Sequence, residues 1–223
     1  MNDMKTSRAK VMVSLVLNAA LAVMVACAVA YMAVNGGETF SQKGIHALRF
    51  FTVDSNVLAG VAALVCAVCQ VRVVCGRAQR VPRWVQVLKL AGTTAVTLTF
   101  LVVIVFLIPV SGLPAERMYT GSNFILHLVA PLLALADYLL LAAPEKLGAK
   151  HLAWCCVPTL AYEVFYGTNA LTHIQDGVVP AAYDWYHFLS AGPASVAVAA
   201  PLFLAVTLLL ALALNRLAAR RSA

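Results

Sequence analysis

The chain is 223 residues long, 62% hydrophobic and 11% charged, with a formal net charge of +7 and a mean hydropathy of +0.88. A typical soluble domain is about 25% charged and about 45–50% apolar, so this composition excludes a soluble globular domain, a disordered chain and a disulfide-stapled secreted domain. In so apolar a chain the basic excess reads as an orientation signal for membrane insertion, and no nucleic-acid partner is expected.

At roughly 20 residues per span, this length allows about six helices with short loops and no large extramembrane domain. Six apolar runs follow in chain order, at 11–34, 49–71, 90–110, 122–143, 151–171 and 187–214. None shows a barrel's alternating pattern, so helices are the expected spanners. The fold class expected is all-α: one polytopic membrane domain of six transmembrane helices covering residues 1–223. A basic segment, Met1 to Lys10, precedes the first run and looks like the start of a signal peptide. The run that follows is longer than the 7–15 residues typical of a signal-peptide core, so it reads as a retained span.

Orientation follows from the sixteen basic residues. Lys5, Arg8 and Lys10 precede the first run, and Arg72, Arg77, Arg80, Arg83 and Lys89 lie between the second and third. Lys146 and Lys150 lie between the fourth and fifth, and Arg216, Arg220 and Arg221 close the chain. Only Lys43, Arg49 and Arg117 fall on the other side. The positive-inside rule then puts both termini in the cytoplasm of a cell membrane. Cys66, Cys69, Cys75, Cys155 and Cys156 fall in the inner half and Cys27 within the first span, so no disulfide is expected. Cys66-x-x-Cys69, without a second pair, reads as helix packing.

Polar residues inside a span need partners or water, so their distribution carries the functional signal. They gather toward the outer side. Thr52, Ser55 and Asn56 share one face of the second span at spacings of three and four, with Asp54 pointing away. Asn123, His127 and Pro131 share a face of the fourth. Tyr162, Tyr166, Asn169 and His173 form a third stripe on the fifth, beside Glu163. Asp176, Asp184, Trp185, Tyr186 and His187 precede the sixth. Three stripes at one level predict a shared cavity. Trp185, Tyr186 and Phe188 read as an interfacial aromatic belt. On the inner side only Asn18 and Asp137 stand out, Asp137 as a helix-end residue near water.

The stretch Arg49-Phe50-Phe51-Thr52-Val53-Asp54-Ser55-Asn56 resembles the threonine element of the androgen-induced protein family, which includes the androgen-dependent regulator of tissue factor pathway inhibitor. The bacterial branch, with an F-T-x-x-S-N pattern, is the more similar. Asn123 to Pro131 resembles the family's histidine element, N-x-x-x-H-x-x-x-P, and Asp184 to Leu189 its aromatic element. The resemblance implies an integral-membrane threonine hydrolase of fatty acid esters of hydroxy fatty acids, with Thr52 as nucleophile and His127 as base. Its partners would be a lipid ester substrate and the surrounding membrane lipids. No cofactor and no metal are implied.

The expected chemistry is attack by Thr52 on an ester carbonyl, with His127 as general base. Ser55, Asn56 and Asn123 are candidate donors to the oxyanion. Tyr162, Glu163, Tyr166, Asn169, His173, Asp184 and His187 are candidates for substrate binding or support, with Asp184, Asp176 or Glu163 orienting His127. Three other readings use the same residues: a transporter or lipid-binding protein without chemistry, a zinc-dependent lipid hydrolase built on His127, His173 and His187 with an aspartate, and a haem protein.

Overall fold

A computed structural model describes residues 2–36, 42–111, 114–142, 146–189 and 192–222, apart from the side chains of 2–7, 110, 111, 193 and 222. The side chains of Lys5 and Val110, residue 143 at the end of the expected fourth span, and residues 190 and 191 of the expected sixth lie outside this description. Among the described residues the fold is helical, with one isolated bridge between Gln175 and Val178. The helices are α1 (Asn2–Asn35), α2 (Phe51–Val74), α3 (Arg83–Leu107), α4 (Gly121–Leu141), α5 (Ala149–Trp154), α6 (Val157–Leu171) and α7 (Val196–Ser222).

Five of them, α1, α2, α3, α4 and α7, are long and apolar enough to cross a membrane. The expected fifth span is instead two pieces, α5 and α6, hinged at Cys155 and Cys156. Pro158 explains the hinge. A proline ring there removes one backbone donor and clashes with the carbonyl four residues earlier, at Trp154. It is tolerated in the first turn of a new helix, which is where α6 begins. The expected sixth span also starts later than 187, at Val196. His187 adopts a left-handed φ of 58° and Gly192 a φ of 101°, which a continuing right-handed helix cannot contain.

α1 packs along α2, and α2 along α3. In its most apolar stretch α3 is 67% buried, against 11% for α7, so α3 is the centre of the bundle and α7 its rim. Large apolar side chains face outward around it, among them Val61, Val105, Val198, Leu202 and Leu209. Polar side chains such as Asn18, Asn56, Thr94, Asn123 and His127 are buried inside. That inversion of the soluble pattern suits a hydrocarbon surround.

The two chain ends meet one end of the bundle. Arg8 donates to the Val74 carbonyl at 3.2 Å, and Asn215 clamps both backbone groups of Leu147, at 3.1 and 3.0 Å. The opposite end is closed by the short turns Gly44–Arg49 and Ala115–Tyr119 and by the segment 172–189.

Three widened π-turns interrupt these helices, at Val103–Leu107, Ile125–Val129 and Asp137–Leu141. The first two stand two residues before a proline, Pro109 and Pro131. Each proline displaces the carbonyl four residues earlier, Val105 and His127, which lie at the middle of the two widened turns.

Candidate functional site

α2, α3, α6, the segment before α7, and α7 itself line a narrow, partly open cavity of about 80 Å3. Its walls are mostly apolar, including Leu98, Val103, Leu107, Ala199 and Phe203. Its polar lining is Thr52, Thr99, Thr159, Tyr162, Glu163, Tyr166 and Tyr186.

Thr52 lies in the first turn of α2, where Phe50 is still extended. The Tyr186 phenol is within hydrogen-bonding reach of the Thr52 side chain, and burial pushes this phenol up to about 12, so it stays neutral. The Thr52 carbonyl accepts from Asn56 Nδ2 at 2.7 Å and Ser55 Oγ at 3.1 Å. Ser55 Oγ also lies 2.8 Å from Thr99 Oγ1. These bonds fix the turn that presents Thr52.

Glu163 also lines the cavity, and neither carboxyl oxygen has a hydrogen-bond partner. Tyr162 donates to the Arg49 carbonyl at 2.8 Å and accepts from Trp185 Nε1 at 3.1 Å. Tyr166 donates to Asp184, whose second oxygen accepts from the Leu189 amide at 3.0 Å. The guanidinium of Arg49 sits 4.6 Å from the centre of a Trp185 ring. Trp185 and Tyr186 are therefore buried parts of the site, with Phe188 on the cavity wall, and not an interfacial belt. Their aromatic character alone made them look interfacial; their packing against α6 is a long-range contact.

His127 is fully buried in the widened turn of α4 but is not on the cavity wall. It makes no hydrogen bond to Thr52. Its Nδ1 lies 2.7 Å from the Met118 carbonyl. A carbonyl only accepts, so Nδ1 carries the proton and the neutral ring keeps its lone pair at Nε2. Met118, and not Asp184, Asp176 or Glu163, thus orients the ring. Asn56 ties the Thr52 turn to this helix, donating to the Leu126 carbonyl at 2.9 Å. Both N–H groups of Asn56 are spent in this way, so its amide has no donor left for an oxyanion. Asn123 is buried on the same helix and lies off the cavity wall.

The remaining candidates lie elsewhere. Asn169 is off the cavity wall. His173 approaches the Asn169 carbonyl at 2.7 Å and stacks on Tyr183 at 3.8 Å. His187 is exposed. Among the described residues no three His, Cys, Asp or Glu side chains gather as a metal site would need, so His127, His173 and His187 do not converge.

At the other end of the bundle the structure corrects two readings. Lys89 is not a loop residue but lies within α3, buried, in an ion pair with Asp137. Asp137 is correspondingly buried and not a solvated helix-end residue. Asn18 donates to Asp137 Oδ2 at 2.9 Å, and Gln70 donates to Ser14 Oγ at 2.7 Å. A lysine in a lipid-facing span costs several kcal/mol unless it is paired, and Asp137 supplies the pair.

No family model, curated protein or solved structure matches this chain.

Proposed function

We propose that the protein is an integral-membrane lipid ester hydrolase that uses Thr52 as nucleophile. The supporting observation is the narrow, mostly apolar cavity with Thr52 at its polar side. Its apolar walls suit part of a lipid chain. In this reading all six segments cross a bacterial cell membrane, the α5–α6 pair counting as one crossing. Both termini are cytoplasmic, and the Thr52 cavity lies toward the outer side. The resemblance of the Thr52 and His127 elements to the androgen-induced protein family points to esters of hydroxy fatty acids as the substrate class.

In the proposed reaction, Thr52 Oγ forms a bond to the ester carbonyl carbon while His127 Nε2 takes its proton. His127 must approach Thr52 more closely in the substrate complex than it does here, as catalytic hydrogen bonds commonly tighten on binding. The Tyr186 phenol donates to the developing oxyanion, replacing Asn56 in that role. The C–O ester bond then breaks, and the departing alcohol receives the proton from His127. Water, deprotonated by His127, attacks the acyl-threonine ester and releases the free acid. The test is hydrolysis of a fatty acid ester of a hydroxy fatty acid by purified protein. Activity is expected in the wild type and absent in Thr52→Ala and His127→Ala. Full activity in Thr52→Ala overturns the threonine mechanism.

A second reading, binding or transport of a lipid without chemistry, draws on the position of His127 off the cavity wall. Under that reading, binding of the intact ester is unaffected in Thr52→Ala and no product forms in the wild type.

A further inference from the structure

Among the residues that line the Thr52 cavity, Glu163 is the one acidic side chain, and no Lys, Arg or His accompanies it. It stands one turn after Thr159 and one turn before Gly167 on α6, and both of these line the cavity too. Its two carboxyl oxygens are buried, and neither has a hydrogen-bond partner. Two charged neighbours of the cavity lie off its wall and are engaged elsewhere. Arg49 sits over the Trp185 ring, and Asp184 accepts from Tyr166 and from the Leu189 amide. Buried polar groups are completed by something in nearly every folded protein, and an unpaired buried carboxylate is among the costliest exceptions.

The rest of the wall narrows what completes it. Phe51, Tyr162, Tyr166, Tyr186, Phe188 and Phe203 line the same cavity. Tyr162 and Tyr166 spend their hydroxyls on the Arg49 carbonyl and on Asp184, so they offer the cavity rings rather than donors. Thr99 and Thr159 are likewise paired, with Ser55 and Thr207. An aromatic ring attracts a cation over its face, and rings grouped around a carboxylate are the usual protein cage for an ammonium group.

We propose that the Thr52 cavity recognises a lipid that carries an ammonium group, held by Glu163 and the rings around it. The proposal rests on the hydrolase reading only in naming an ester as the lipid. A free fatty acid end would bring a second carboxylate into this cavity, where no lining residue is basic. Within the esters of hydroxy fatty acids, the favoured members are therefore those whose acid end is capped by an amine-bearing head group. In a β-acyloxy fatty acid the acid end stands close to the ester, so both reach one cavity.

The test is competition binding to purified Thr52→Ala protein in neutral detergent, which reads recognition without turnover. Three forms of one β-acyloxy fatty acid compete with a radiolabelled copy of the first. The first is an amide ending in trimethylammonium, the second the same amide ending in the uncharged tert-butyl group of like shape, and the third the free acid. The trimethylammonium lipid is expected to bind about tenfold more tightly than its neutral isostere, and the free acid more weakly than both. With Glu163→Gln added, the preference for the cation should fall to about threefold, the share left to the rings. Glu163 bonds nothing in the protein, so Glu163→Gln should melt with its parent. No binding of the cationic lipid, equal binding of the cationic and neutral lipids, tightest binding of the free acid, or an unchanged preference in Glu163→Gln would each overturn the proposal. Hydrolysis of the same lipids by the wild type tests the threonine reading separately. A cation preference without hydrolysis sinks that reading and leaves the cation site standing, whereas hydrolysis of all three with equal efficiency does the reverse.

Discussion

Thr52 differs from other threonines of the chain in what its hydroxyl meets. Thr97, Thr172 and Thr207 donate to the carbonyl one turn back, at 2.7, 2.8 and 2.7 Å, as membrane threonines commonly do. Thr52 lies in the first turn of α2, with no preceding turn of that helix to bond, and its side chain meets Tyr186 at the cavity instead. Thr52→Ala should therefore lower ester hydrolysis by roughly a thousandfold or more while shifting the melting temperature little; activity and thermal denaturation, measured on the same preparation, check this. At the opposite end, Lys89→Met alone leaves Asp137 buried without its cation and should cost about 3–5 kcal/mol. The double variant Lys89→Met, Asp137→Leu should recover most of that loss in a double-mutant cycle followed by denaturation. The sequence marked Thr52, Tyr162, Glu163 and Tyr166 because polar groups at helical spacing in an apolar run are conspicuous. It hid Lys89, because a lysine near an expected helix start looks like a topology signal. Only Asp137, 48 residues away, reveals otherwise.

At the scale of the elements, proline decides much of the local shape. The even spacing of Asn123, His127 and Pro131 suggested a straight α-helical stripe, but Pro131 widens the turn that carries His127. Pro158 likewise splits the fifth segment. Both residues were visible in the sequence, and hydropathy alone gave no reason to weigh them. The start of α7 was harder to read, since the left-handed turn at His187 depends on the packing of Asp184 and Tyr186 against α6. Close approach of α2 and α3 depends on Gly92, where an added Cβ would stand 3.0 Å from the Ala59 Cα. The obstacle is backbone and cannot swing aside. Gly92→Leu should destabilise the protein by about 2 kcal/mol or more, and Gly92→Ala by less, as read from thermal denaturation in detergent. Because α2 and α3 both wall the Thr52 cavity, Gly92→Leu should also reduce hydrolysis.

For the whole molecule, composition alone made the membrane reading legible: an apolar exterior surrounds buried polar side chains. In the proposed orientation Cys75, exposed after α2, lies on the cytoplasmic side. A variant retaining Cys75 as its single cysteine should resist a membrane-impermeant maleimide in intact cells and react once they are permeabilised. Labelling in intact cells would invert the topology. The Thr52 cavity carries the proposed chemistry, in which a covalent threonine ester is the intermediate. Peptide mapping by mass spectrometry after treatment with a lipid-like fluorophosphonate tests this directly. The account predicts one adduct on Thr52 in the wild type and none in His127→Ala. An adduct on another residue, or none on a protein that hydrolyses the ester, would contradict it.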